Sequence, residues 1–174
     1  MRMPTDYRSL IRDIPDFPVP GIMFRDITPL LGDVDAYRAA ISDMAAPFRK
    51  KGIDRVAAIE ARGYFLGVPL ALELGAGFVP IRKVGKLPFE TFKAEYALEY
   101  GEAAIEVHRD GLLPGHRVLL IDDVLATGGT MAATIELVKQ SGATIAGIGV
   151  LIELAALNGR AALAEYKFFS AITL

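Results

Sequence analysis

The run Val118 to Thr130, VLLIDDVLATGGT, gathers the residue types most able to do chemistry. Val118 to Ile121 are apolar and read as a buried strand, with two adjacent carboxylates, Asp122 and Asp123, at its carboxyl end. An open parallel sheet places its ligands at that end of its strands. Next comes Ala126-Thr127-Gly128-Gly129-Thr130, a turn of small residues opening directly into a helix. The glycines let backbone approach a ligand closely, and the Thr127 and Thr130 hydroxyls can donate hydrogen bonds. The first N–H groups of the helix face an anion with a favourable dipole. These are the parts of a phosphate cradle. Ionised carboxylates accept hydrogen bonds, which suits the neighbouring hydroxyls of a ribose. The spacing therefore fits a sugar phosphate, with phosphate on the turn and sugar hydroxyls on Asp122 and Asp123. A Gly-Gly turn alone would more often be an ordinary strand-to-helix connection; the acidic pair and the Thr-Gly-Gly-Thr turn in one run reverse that weighting. GxxxxGK[ST] is absent, and neither Gly142 to Gly149 nor Gly75 with Gly77 completes GxGxxG behind a suitable strand. Nucleoside triphosphatase and dinucleotide readings lose support.

Two further segments carry charge suited to an anion. In Glu60-Ala61-Arg62-Gly63 a strand end is followed by an Arg that can bind phosphate and a Gly that permits close approach. Arg82, Lys83 and Lys86 put three positive charges close together in an otherwise slightly acidic chain. Alone such a cluster is usually a solvated face; beside a phosphate cradle it gains a use. His108 and His116 belong to no motif and read as surface residues.

Elements that would position these residues follow from hydrophobic periodicity. Tyr7, Leu10, Ile11 and Ile14 recur at helical spacing behind Thr5 or Asp6, and Pro15, Pro18, Pro20 and Gly21 end that helix. Tyr37, Ile41, Ala45 and Phe48 predict a helix from about Val34 to Lys51, stopped at Gly52. Strand-like runs then alternate with helical ones: Arg55 to Glu60, a helix near Phe65 to Leu74, Phe78 to Ile81, Val118 to Ile121, a helix from about Gly129 to Ser141, and Ile145 to Ile152. Strands without polar alternation are covered on both faces, so this succession predicts an α/β fold, a mostly parallel sheet flanked by helices. Between Val84 and Glu106 no period persists, which predicts a functional loop or a peripheral hairpin.

Composition bounds the function. The chain has 174 residues, 52% hydrophobic and 23% charged, with mean hydropathy +0.36, which predicts one compact folded domain. A net charge of −2 offers no global field for nucleic acid or anionic membrane, so an anion must be bound locally. With no cysteine and two histidines, disulfides, thiolate metal sites and a cysteine nucleophile are excluded. No apolar run approaches a membrane span or a signal peptide core, which predicts a cytoplasmic protein.

The run Val118 to Thr130 closely resembles the ribose-phosphate signature of the type I phosphoribosyltransferases, which use phosphoribosyl pyrophosphate. FPVPGIMFRDITPLL at 17 to 31, EARGYFLG at 60 to 67, IRKVGKLP at 81 to 88 and YALEYG at 96 to 101 resemble, in matching order over nearly the whole chain, the branch of that family acting on adenine. This resemblance implies a single domain over 1–174, with an N-terminal hood and base-binding segment at 1–32 and a Rossmann-like core at 33–174 bearing a flexible catalytic loop at about 84–106. It implies transfer of phosphoribose from phosphoribosyl pyrophosphate to adenine, giving AMP and pyrophosphate in purine salvage. Asp122, Asp123 and Ala126 to Thr130 would hold the ribose phosphate, while Arg62, Arg82, Lys83 and Lys86 would meet the pyrophosphate. Part of that basic segment would reach the partner subunit's site in a homodimer. Glu99 would exchange a proton with the purine at N7, and Tyr100 would gate the site; Glu95 reads as a solvated loop glutamate. Phe24 would cover the base, backbone near Arg25 would read its edge, and Leu154 would lie on its other side. Mg²⁺ would be carried mainly by pyrophosphate and ribose oxygens, so no protein metal ligand is expected. The alternatives are a relative acting on another purine base and a regulator that senses phosphoribosyl pyrophosphate. The −2 charge and the intact Leu98-Glu99-Tyr100 segment argue against the regulator. Two departures from the family pattern, the aromatic character of Phe89 and Phe92 and Ala61 where some relatives carry Ser, do not touch the sugar-phosphate residues.

Overall fold

The computed structural model of the chain describes residues 6–97 and 102–174. These form two compact units, Met1–Asp43 and Met44–Leu174.

In the first unit the Asp6 carboxylate accepts from the Arg8 N–H at 3.1 Å and caps a single 3-10 turn, Tyr7–Leu10. The expected amphipathic helix through Ile14 does not form. Instead β1 (Arg12–Ile14) pairs antiparallel with β2 (Phe24–Asp26), a partner that local periodicity cannot reveal. The register sets Arg12 opposite Asp26, and the guanidinium donates to that carboxylate at 2.6 and 3.0 Å. Asp26 also accepts from the backbone N–H of Thr28, at 2.9 Å. Two helices follow, α1 (Thr28–Gly32) and α2 (Val34–Ala45). The Asp33 carboxylate accepts from the N–H of Asp35 and Ala36 at the start of α2. Periodicity carries this helix on to Lys51, yet it stops at Ala45 and passes into a 3-10 turn, Ala46–Phe48. Pro47 has no N–H with which to continue the α ladder.

The second unit is built on β3 (Arg55–Ile59), α3 (Arg62–Leu74), β4 (Gly77–Lys83), β5 (Thr91–Ala97), β6 (Glu102–His108), β7 (Arg117–Leu125), α4 (Gly129–Ser141), β8 (Thr144–Glu153) and β9 (Phe168–Thr173). Seven strands form one sheet in the order β5-β6-β4-β3-β7-β8-β9. Neighbours from β4 to β9 run parallel, while β5 and β6 form an antiparallel hairpin on the β4 edge. The predicted mostly parallel α/β sheet is thus observed, and the aperiodic stretch 84–106 supplies its edge hairpin. Beyond the expected strands, β9 extends the other edge.

Burial explains why the central strands read as unbroken apolar runs. Val118 to Ile121 on β7 and Val56 to Ala58 on β3 are fully buried, as are Ile148 and Val150 to Ile152 on β8. Helix α3 lies close against the sheet: a Cβ on Gly67 would fall 2.5 Å from that of Ala58 and 3.0 Å from the Phe78 ring. From β3 the chain crosses by α3 to β4 on one side; from β7 it crosses by α4 to β8 on the other. The winding therefore reverses between β3 and β7, and the crevice at their carboxyl ends is where an open α/β sheet binds ligand. No helix among the described residues is long and apolar enough to cross a membrane.

Candidate active site

The turn read as a phosphate cradle lies at that reversal. Strand β7 extends past the acidic pair to Leu125, so Asp122 and Asp123 lie within its carboxyl-terminal part rather than beyond it. Its pairing with β3 stops at Ile121 while its pairing with β8 continues, leaving the acids just beyond the last β3 partner. Ala126 to Gly128 make the turn, Gly128 adopts φ +90°, and α4 begins at Gly129 with no side chain capping it. The first N–H groups of a helix have no partner within it, so this start has donors free to meet an anion. Asp122 and the continuous run Val124 to Met131 line a depression of about 320 Å³, counting space open to solvent. Thus Asp122, Ala126, Thr127, Gly128, Gly129 and Thr130 come together as expected.

The turn has a back wall that local sequence does not disclose. A Cβ on Gly128 would lie 2.8 Å from the Gly159 carbonyl oxygen, and one on Gly159 would lie 2.2 Å from the Ala126 carbonyl oxygen. Backbone packs directly on backbone here, so two glycines remote in sequence set the position of the cradle.

Asp123 does not line the depression. It is 4% exposed, and Arg62, the first residue of α3, sets its Nε 2.7 Å from Asp123 Oδ2 as a contact of charges rather than an aligned hydrogen bond. Asp122 Oδ1 accepts from the Asp123 N–H at 2.9 Å. Burial, with the second carboxylate alongside, pushes Asp122 well above the usual carboxylate range. Asp123 is also raised by burial, against the opposing pull of Arg62. Gly63 has a different use from the one its position suggests: a Cβ there would meet Asp122 Oδ1 at 3.1 Å and the Ile121 carbonyl oxygen at 3.3 Å. The close approach it allows is that of the acidic strand end.

The basic segment leaves β4 at the same carboxyl-terminal end of the parallel strands. Arg82 is engaged, donating from Nε to Glu60 Oε2 at 2.7 Å and from Nη1 to the Lys86 carbonyl at 3.1 Å. Glu60 Oε1 accepts from the Lys83 N–H at 3.0 Å. Although burial pushes Glu60 up, these donors hold its carboxyl below the usual range. Glu106 on β6, 2% exposed, accepts on Oε1 from the N–H groups of Gly85, Lys86 and Leu87 at 2.9 to 3.0 Å, and on Oε2 from the Thr91 hydroxyl at 3.2 Å. Burial pushes Glu106 up as well, and the three backbone donors hold it down.

Leu154 follows β8 at this same carboxyl-terminal end, its N–H donating to the Leu125 carbonyl at 2.9 Å. In the first unit Phe24 packs edge-on to Phe17 with ring centres 5.1 Å apart, and Arg25 pairs with Asp13. Glu99 and Tyr100 lie outside the described residues. His116, whose Nδ1 accepts from the Leu113 N–H at 3.1 Å, and His108, whose ring lies against Phe89, are both partly buried, not plain surface residues. Sequence reasoning missed Glu106 and Gly159; a lone acid in an apolar strand, Ile105-Glu106-Val107, was the available signal for the first.

A phosphoribosyl transferase domain model matches residues 33–170. The adenine phosphoribosyltransferase of Roseiflexus sp. (strain RS-1) is 53% identical over 170 residues, covering 98% of this chain and 99% of its own. The crystal structure of adenine phosphoribosyltransferase from Thermoanaerobacter pseudethanolicus matches with a TM-score of 0.95 at 46% identity, over 99% of this chain and all of that one. That of Saccharomyces cerevisiae, complexed with an imino-altritol bisphosphate and adenine, matches with a TM-score of 0.90 at 37% identity, over 95% of this chain and 96% of the other. The chain therefore belongs to the phosphoribosyltransferase family, in its adenine phosphoribosyltransferase group.

Proposed function

We propose that this protein transfers phosphoribose from phosphoribosyl pyrophosphate to N9 of adenine, releasing pyrophosphate and AMP for purine salvage. The observation that carries this reading is the uncapped start of α4 beside Asp122, at the point where the sheet reverses its winding. In this reading the turn Ala126 to Thr130 holds the 5′-phosphate, Asp122 orients the ribose hydroxyls, and Asp123 keeps Arg62 in place at the pyrophosphate side. Lys83 and Lys86 add positive charge there, while Arg82 braces the segment through Glu60. The full length and 53% identity shared with an adenine phosphoribosyltransferase support adenine over another base, and the yeast relative's complex with adenine agrees. Phe24 and Arg25 in the N-terminal hood and Leu154 on the core are the base-binding residues of this reading. Glu99 moves the proton at N7, and Tyr100 gates the site, excluding water that would hydrolyse an activated sugar.

The donor set fits Mg²⁺ that arrives on the substrate's own oxygens. Of the acidic pair, Asp123 is already committed to Arg62. Of the two carboxylates, Asp122 lines the depression, placed to accept from a hydroxyl or a metal-bound water. When present, Mg²⁺ would supply neutralisation of pyrophosphate charge. The protein acts as a cytoplasmic homodimer in this reading. Phe65, Val68 and Leu72, exposed at helical spacing on α3, supply an apolar face for that association.

Pyrophosphate release, measured with phosphoribosyl pyrophosphate and Mg²⁺ against adenine, hypoxanthine, guanine, xanthine and orotate, tests the reading. Release with adenine alone is expected. Release with another base would overturn the base assignment, and binding of phosphoribosyl pyrophosphate without turnover of any base would favour a regulator.

A further inference from the structure

The turn between β4 and β5 is held in an unusual way. Its N–H groups at Gly85, Lys86 and Leu87 converge on one oxygen of Glu106, a carboxylate buried between Ile105 and Val107 in the edge hairpin. On the other side Glu60 takes the Lys83 N–H and the Arg82 guanidinium, and Arg82 returns to the Lys86 carbonyl. Two carboxylates thus grip the backbone from 83 to 87 and consume the charge of Arg82. Neither takes a hydrogen bond from the side chain of Lys83 or Lys86, although the Lys83 charge helps hold Glu60 down.

Burying a carboxylate in an apolar strand is unfavourable unless donors compensate it. All the backbone donors that compensate Glu106 come from this one turn, where Gly85 takes φ +87°. Glu106 occupies the place an external anion would take in such a nest of N–H groups. With the nest filled from within, an arriving anion meets the lysine ammonium groups on a fixed turn rather than a loose ring of backbone donors.

We infer that Glu106 is a positioning residue for phosphoribosyl transfer: it acts through the turn 84–87, fixing where Lys83 and Lys86 meet the pyrophosphate group of the substrate. This rests on the proposed phosphoribosyl transfer. It adds a residue from the edge hairpin to the determinants of the pyrophosphate side and separates Arg82, a brace, from Lys83 and Lys86, the ligand-facing cations.

Steady-state kinetics of Glu106→Ala and Glu106→Gln with both substrates, together with amide hydrogen exchange, provide the test. In Glu106→Ala the KM for phosphoribosyl pyrophosphate should rise roughly tenfold while the KM for adenine stays within about twofold, because misplacement is confined to one side of the site. Glu106→Gln should fall between, since it keeps an acceptor oxygen and loses the charge. Lys86→Gln should raise the same KM, and the Lys86→Gln/Glu106→Ala double variant should be no worse than the sum of its parts and well short of it, as expected of residues acting through one another. The amides of Gly85, Lys86 and Leu87 should be protected in the wild type and exposed in Glu106→Ala. An unchanged KM for phosphoribosyl pyrophosphate in a folded variant, a parallel rise of both KM values, or unprotected amides in the wild type would overturn the inference. If Glu106→Ala fails to fold, Glu106→Gln carries the same readings. A wild type that turns over no base would refute the transfer itself; hydrogen exchange and titration with pyrophosphate and Mg²⁺, wild type against Glu106→Gln, then decide the role of Glu106 separately.

Discussion

Replacing Gly159 by Ala tests whether the cradle is positioned by backbone packing. The added Cβ would lie 2.2 Å from the Ala126 carbonyl oxygen and 3.0 Å from the Gly128 nitrogen. Ordinary contact begins at 3.4 Å, so the first distance is short by about 1.2 Å, and neither neighbour is a flexible side chain that can swing aside. The turn Ala126 to Gly128 must shift by about that amount, or the segment carrying Gly159 must retreat. A displacement of about 1 Å in a positioned site lowers catalytic efficiency on the order of 100-fold. Overpacking of this kind lowers stability by about 1–3 kcal/mol, a fall in Tm of several degrees for a domain of this size. The assay is pyrophosphate release at varied phosphoribosyl pyrophosphate, with thermal unfolding in parallel. Gly115→Ala is the control: unlike Gly159 it has φ +90°, and its added Cβ meets nothing within 4 Å. It should lose stability from backbone strain and keep kcat/KM. A kcat/KM for Gly159→Ala within about threefold of wild type would refute the claim that this contact sets the cradle.

Three further perturbations have signs fixed by the site and its surroundings. Asp122→Asn should weaken phosphoribosyl pyrophosphate binding in calorimetric titration. It should also stabilise the unliganded protein at neutral pH, on the order of 1 kcal/mol, because a carboxyl raised by burial disfavours folding when ionised; the gain should disappear as pH falls and the wild-type group takes up its proton. A variant less stable than wild type at pH 7 would contradict this. Asp26 is lowered from 3.8 to about 2 by the Thr28 N–H and by Arg12, so its contribution is complete above pH 3.8 and is lost as pH falls through about 2. Asp26→Asn should therefore lower stability by about 1–2 kcal/mol at pH 7, with the difference shrinking from pH 4 toward 2 in denaturant titrations; a pH-independent difference would count against it. Glu99→Gln should lose turnover while keeping most of its affinity for phosphoribosyl pyrophosphate, and unchanged turnover would remove Glu99 from the mechanism.

The run Val118 to Thr130 was legible because strand, acids, turn and helix are contiguous, and each acts within a few residues of its own backbone. Helices α3 and α4 and the inner strands were legible for the same reason: their burial pattern is written in their own spacing. What escaped depends on partners distant in the chain. The first strand takes its conformation from β2, and the expected helix there gave way to that pairing. Gly159 matters because another loop passes over it, and Gly63 because a strand end does. Arg82 read as one of three equivalent cations, but Glu60 claims its guanidinium, a pairing 22 residues apart. Asp122 and Asp123 read as twins, yet one lines the depression and the other is buried against Arg62, since neighbouring positions on a strand point to opposite faces.

The contact of Gly67 with Ala58 limits how this sequence can drift. Helix α3 lies on β3 with no room for even one added methyl group, and its first residue holds the charge contact to Asp123. A larger residue at either position lifts the helix and takes Arg62 with it, so a change in the middle of the sheet is felt at the site without touching a ligand. The two positions behave as a single locus: drift there must keep their combined volume small, whereas exposed Leu72 on the same helix is free of this particular constraint.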